Sequence, residues 1–411
     1  MATASSTVRH EREATALQAW VLISASWLSV IASTVIAPVL PKIAEQFQGA
    51  PHVAVMVSLV ATLPALFVAL LAGPFGMLAD RIGHRRTLLW GVGVYGFCGT
   101  APYWLKSIES IVVSRAGVGI TEAVIMTCST AMLGDYFAAD EREKWLAYET
   151  GTATIIAIVM VAIGGSLGES TWRLPFTMYA FGFLLLPLVA YFTWEPSRAA
   201  AAERQGSLGE EKKEVFRWGG LISICLVTVF AATAFYVVIV QLGFILTERG
   251  YSSPRLIGMG AALSSLAVPL GAFVFRLLRV PVAGKLTLSF AFSSVGFFVI
   301  TASHSYSGII IGAAINGVGS GMALPTLITW ALSKLPPEVM GRGTGAWQAS
   351  FFFGQFVSPL VILGLIRVSG SLSAAVLIYA VLCALAAALA LALLFRGSAN
   401  AGSGQVEAAR V

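Results

Sequence analysis

The chain has 411 residues, of which 57% are hydrophobic and only 11% charged, with a formal net charge of +6. A soluble surface normally draws on about a quarter charged residues, so this composition excludes a water-solvated globule and makes lipid the solvent. The basic excess does not mark a nucleic-acid surface either, because it recurs in short connections between apolar stretches instead of clustering.

A membrane-crossing helix needs about 20 mostly apolar residues. Twelve stretches qualify: 16–40, 52–78, 87–105, 110–136, 146–168, 174–194, 218–246, 254–275, 285–303, 307–332, 344–366 and 372–395. Backbone groups in hydrocarbon must be paired within the segment, so the predicted fold class is an all-α membrane protein. The polar residues 1–15 precede a full-length apolar run without the cleavage site of a leader, so span 1 is expected to be retained. The charged, Ala-rich stretch 195–217 reads as a linker between two six-helix halves, 16–194 and 218–395, and residues 396–411 as a disordered tail. Of the 26 Lys and Arg residues, nineteen fall on one set of alternate loops and six on the other, which places both termini in the cytoplasm.

The halves resemble each other. Gly117-Val118-Gly119 recurs as Gly317-Val318-Gly319, Ala147-Tyr148-Glu149 aligns with Ala346-Trp347-Gln348, and Arg142 matches Arg342. A repeat at half the chain length is the trace of a duplicated transporter fold. Cys98, Cys128, Cys225 and Cys383 each sit in an apolar stretch and read as small buried hydrophobes. His10, His52, His84 and His304 are scattered, and neither a phosphate-binding Walker loop nor a paired catalytic set is found. Neither an enzyme nor a metal or cofactor is expected.

The sharpest motif lies between spans 2 and 3: Gly76-Met77-Leu78-Ala79-Asp80-Arg81-Ile82-Gly83-His84-Arg85-Arg86. It resembles the G-x-L-x-D-R-x-G-r-r signature of the major facilitator superfamily, with His84 in place of a usual basic residue. The resemblance implies twelve helices in two pseudo-symmetric halves. It also implies a latch in which Asp80 caps the start of span 11 (Gly343 to Gly345) and Arg85 or Arg81 pairs with Asp135, with Arg142 nearby. A carboxylate at a helix N-terminus meets unpaired N–H groups and the positive end of the dipole. The alternative reading is that Arg81, Arg85 and Arg86 merely anchor topology. The matching loop of the second half, Arg276 to Lys285, keeps basic residues but lacks an aspartate.

In span 4, Arg115 and Gly119 resemble the family's R-x-x-x-G pattern, whose arginine is associated with proton coupling. Glu122 lies seven residues on, on the same face and about 10 Å along the axis. A carboxylate near mid-span is costly and normally faces a watered cavity or a partner, so Glu122 is the candidate proton carrier; a structural tie to Arg115 or a hydroxyl is the alternative. Glu149, expected less than one turn into span 5, is a further candidate, either for the latch or for the cavity mouth, with plain interfacial solvation as the alternative. The resemblance also implies a central cavity lined by spans 1, 4, 7 and 10. Its candidate residues are Trp27, Thr34, Tyr236, Gln241, Asn316 and Ser320, with Gln348 and Gln355 of span 11. Few formal charges would face a solute there, which favours a neutral, cationic or amphiphilic compound over a multiply anionic one. Span 5 carries the paired glycines Gly164 and Gly165 of the drug–proton antiporter motif without its proline, and Trp172-Arg173 follows.

The expectation is a monomeric, proton-coupled secondary transporter of the bacterial inner membrane, surrounded by lipid and exporting a small organic compound. An importer of a small metabolite and a non-transporting membrane sensor or scaffold are the alternatives.

Overall fold

The computed structural model describes residues 14–195, 219–336 and 339–408; the predicted linker, apart from Glu195, and most of the N-terminal tail lie outside them. Twelve helical spans follow one another, and the described residues contain no strand. α1 spans Ala16–Gln46, α2 Val53–Ile82, α3 His84–Thr100, α4 Ile108–Tyr136, α5 Ala139–Ser170 and α6 Leu174–Phe192. α7 spans Gly219–Glu248, α8 Pro254–Leu277, α9 Val282–Ala302, α10 Tyr306–Leu332, α11 Met340–Ser369 and α12 Leu372–Ala408. Among the described residues, 11 helices are long and apolar enough to cross a membrane. α3 has 17 residues, and the 3-10 turn Ala101–Tyr103 completes its length.

Local chemistry sets the ends and bends. Thr15 and Gln18 form a capping box at the start of α1. The regular helix stops at Thr34 and resumes at Leu40 after a 3-10 turn, because Pro38 and Pro41 supply no N–H to continue the ladder. Gly83 joins α2 to α3 at φ +110°, a conformation that favours glycine.

Most ends shift by a few residues, and two of the differences from expectation bear on the site or the tail. α5 begins at Ala139 instead of 146, because Asp140 and Glu141 suit the positive end of a helix. This moves Glu149 from the mouth of the helix to about 15 Å inside it. The tail predicted as disordered from 396 is helical to Ala408, since a formed span extends by one hydrogen bond per residue fixed.

Each half has its own core. Tyr95, Phe176 and Tyr179 are fully buried in the first, Phe297 fully and Tyr379 almost so in the second. The halves meet along two seams. Phe352 and Phe356 of α11 pack on Ala65 and Val68 of α2 and Ala123 of α4, and α5 runs closely beside α8.

Candidate functional site

The buried cation of the first half is explained by two helix defects. Pro64 has no N–H, so the carbonyl of Val60 has no helical donor four residues on. Ala32 lies in the last turn of the first segment of α1, where carbonyls also lack helical donors. Arg115, 0% exposed, reaches both: its Nε donates to Val60 O and its Nη2 to Ala32 O, each at 2.9 Å. Tyr179 stacks against the guanidinium at 5.0 Å and also donates to Ala32 O. No hydrogen bond or ion pair joins Arg115 to Glu122. Of the structural ties considered as alternatives for Glu122, the one to Arg115 is not formed: Arg115 is sealed inside the first half, where it binds α1, α2 and α4 together.

Glu122 is 3% exposed. It is buried away from the lipid-facing surface and lies outside the lining of the cavity described below, and its carboxylate accepts a hydrogen bond from Ser29 of α1. Ser26, Trp27, Ser29, Ser33 and Thr34 form the half-exposed stripe of α1. One turn away Ser26 meets Ser129 of α4 at 3.1 Å, and Trp27 Nε1 donates to Thr152 of α5 at 3.1 Å.

The basic loops gather at one end of the bundle, here the basic end. A cavity of about 1160 Å³ opens there. Ala72, Gly73, Thr127, Thr130 and Ala131 line its depth; Asp80, Arg81, His84, Arg85, Arg86, Asp135, Arg142 and Glu195 line its rim; Gly345 and Gln348 of α11 face it as well. The cavity thus carries more charge than the sequence predicts, all of it at the mouth. Asp80 has a 69% exposed side chain and pairs with His84 at 3.3 Å. Val339, at the start of α11, offers that helix no side-chain cap. Asp80 and α11 both border the open cavity instead of closing it.

Arg85 is placed otherwise than expected. Its Nε and Nη2 donate to Thr193 O and Ala190 O at 2.8 and 2.7 Å, which closes the end of α6. The reason is the positive-to-negative match between a guanidinium and the orphan carbonyls of a helix C-terminus. Glu195, a residue that motif reasoning passed over, mirrors this at the start of α3, where it accepts from His84 N at 2.7 Å and Arg85 N at 2.9 Å. A Cβ at Gly83 would stand 2.9 Å from that carboxylate. Gly76 of the signature lies against Thr127 of α4.

The opposite end is closed. Glu169, at the end of α5, accepts from Ser253 Oγ at 2.8 Å and from Arg255 N at 3.1 Å, so it caps α8 across the seam between halves. Lys42 donates to Gly168 O and Glu169 O at 3.1 Å and finishes α5. Below this, Gly165 and Gly258 bring α5 and α8 into backbone contact: a Cβ on either would sit 2.8 Å from the other's Cα.

Of the residues assigned to a central cavity, only Gln348 lines the cavity present. Asn316 and Ser320 are 1% and 3% exposed and bonded to each other at 3.4 Å. They are corrected to the interior of the second half, because Asn316 packs on Gly296, which lets α9 and α10 close on the amide. Tyr236, Gln241 and Gln355 are buried; Tyr236 stacks edge-on against Phe351, and Gln355 Oε1 has no hydrogen-bond partner. Trp27 is tied to Thr152, and Thr34 bonds to Val30 O on its own helix.

A family model described as Major Facilitator Superfamily matches residues 22–359 and 224–408. The multidrug efflux protein YfmO of Bacillus subtilis is 24% identical over 348 residues, 83% of this chain and 84% of that protein. Multidrug resistance protein 1 of the same organism is 24% identical over 357 residues, 83% and 87% of the two chains. Among solved structures, a bacterial homologue of the human lysosomal transporter Spinster, in an inward-facing and occupied conformation, superposes with a TM-score of 0.73. It shares 18% identity and covers 92% of this chain and 96% of its own.

Proposed function

Because the chain belongs to the Major Facilitator Superfamily, we propose that this membrane transporter couples proton movement to the export of small organic compounds by alternating access between its two halves. The observation that carries the proposal is Glu122: a carboxylate about 20 Å from the basic end of α4, out of lipid, held by a hydroxyl on the half-exposed stripe of α1. A group there can exchange a proton when the cavity reaches it and release it when the halves rock the other way. The efflux named for one relative and the multidrug resistance named for another support the direction of transport.

The basic end faces the cytoplasm by the positive-inside rule, so the structure corresponds to an inward-open state. In the outward-open state Asp80 would swing to the N-terminus of α11, with Arg81, Arg86, Asp135 and Arg142 around it. Gly76 and Gly83 give that loop its close fit. Arg115 supports the coupling as a fixed positive background and does not bind solute.

The test is pH-gradient-driven uptake of ethidium, a lipophilic cation, into inside-out vesicles. Glu122→Gln should abolish it while the purified protein keeps its thermal unfolding midpoint. Uptake at the wild-type rate would reject Glu122 as the coupling group.

A further inference from the structure

Ser26 and Ser29 of α1 stand between two carboxylates that occupy different depths. Counting from the basic ends of their helices, Glu149 and Ser26 each lie about 15 Å in, and Ser29 and Glu122 about 20 Å in. Ser29 donates to Glu122. Ser26 sits next to Trp27 on the turn of α1 that faces the Glu149 turn of α5, and is braced by Ser129 at 3.1 Å. The Trp27–Thr152 bond clamps α1 to α5 at this level, and Thr152 also bonds to Glu149 O at 3.2 Å. Glu149 is half-buried, so one end of the row meets solvent, whereas Glu122 at the other end is sealed.

We propose that Glu149, Ser26 and Ser29 form a relay that delivers protons between the basic-end solvent and Glu122. The proposal rests on Glu122 as the coupling group and names its route. Residues three apart on a helix present neighbouring side chains with about 5–6 Å between Cβ atoms, a gap that one water molecule can bridge. The transfer balances as a shuttle. The Glu149 carboxyl O–H breaks as Ser26 Oγ gains that proton and passes its own to the bridging water. The water passes one of its protons to Ser29 Oγ, and the Ser29 O–H breaks as the new O–H forms on Glu122. Each serine and the water end as they began, except that their hydroxyls have turned; Glu149 has lost one proton and Glu122 has gained it. The other ionisable groups around Glu122 are Arg115, Tyr95, Tyr179 and Tyr236. The first three give hydrogen bonds to backbone carbonyls instead of to Glu122, and Ser29 remains the hydroxyl that touches it. Ser129 is a positioning residue that fixes the rotamer of Ser26.

The experiment follows the carboxylic C=O stretch of purified full-length protein in detergent by time-resolved infrared spectroscopy after a rapid drop in pH. The band lost in Glu122→Gln reports protonation of that residue. Ser26→Ala does not touch Glu122, so it should leave the final amplitude of this band unchanged. It should slow the band's growth by roughly a hundredfold, the lower end of what a positioned proton-transfer group contributes. Glu149→Gln should slow it likewise, and Ser26→Thr, which keeps a hydroxyl, should restore most of the rate; a purely structural role for Ser26 would not separate rate from amplitude. Wild-type growth in both Ser26→Ala and Glu149→Gln would overturn the relay and leave Glu122 as the coupling group. A wild-type protein without any band assignable to Glu122 would overturn the coupling role as well.

Discussion

Replacing Arg115 by methionine in two backgrounds isolates the one interaction that most clearly ties sequence to packing. In the native background Arg115→Met leaves Val60 O without a donor, because Pro64 supplies no N–H. In a Pro64→Ala background the restored N–H of residue 64 takes Val60 O, so the same change orphans nothing on α2. The single substitution mixes opposing effects: two charge-assisted hydrogen bonds and a ring contact are lost, while a buried charge with a partnerless Nη1 is relieved. The double-mutant cycle cancels these and reads the α2 rung alone. A buried carbonyl left unpaired costs about 1–3 kcal/mol. Hydrogen bonds between membrane helices average about 0.6 and reach about 1.7 kcal/mol. The expected coupling is therefore about 1–2 kcal/mol, with Arg115→Met milder when Pro64 is gone. Unfolding free energies from sodium dodecyl sulfate titrations of the four proteins measure it. Tyr179→Phe, which loosens only the Ala32 contact, should show no coupling to Pro64→Ala. A coupling within the roughly 0.5 kcal/mol scatter of additive pairs would refute the claim that Arg115 is retained to repair the proline defect.

Glu169→Ala removes a helix cap that spans the halves, worth about 1 kcal/mol, and should shift the closed-to-open ratio at that end about fivefold. Spin labels at Gln48 and Ser252 report it as a longer distance component, and an unchanged distribution would dismiss Glu169 as a tie. Gly258→Val drives a side chain into Gly165 and Val161. It should widen the same label pair further and stop ethidium transport; normal transport would show that the α5–α8 approach is dispensable. Glu195→Ala uncaps α3 and should cost about 1–2 kcal/mol in detergent unfolding. Glu195→Gln, whose amide oxygen still accepts, should recover part of this, and two equal midpoints at the wild-type value would argue against the cap.

The twelve spans were legible because lipid imposes length and apolarity on each one separately, and the family signature placed Asp80 and its neighbours at the right loop. The site was less legible because its partners are mostly backbone. The carbonyls that take Arg115 leave no mark in composition, yet Pro64 was a usable signal: a proline inside a span announces a free carbonyl four residues earlier, and Arg115 was the one basic residue placed within a span. Glu195 was hidden for a different reason. It sits just past the end of α6, some 110 positions from the N–H groups it caps, and read as the start of a solvated linker. Asn316 was assigned to a cavity because an amide in a membrane needs a partner, but Gly296, facing it from α9, provides a packed niche that polarity alone does not reveal.

The glycine contact between α5 and α8 lies near one extremity of a long rod. From Gly165 to Ala139 is 26 residues, about 39 Å of helix. If that contact is the fulcrum, a turn of about 15°, the size of known rigid-body rotations between protein subunits, carries the far tip of α5 about 10 Å. A leverage this large lets two glycine hydrogens, by deciding how near two backbones come, set the width of a doorway at the other face of the membrane.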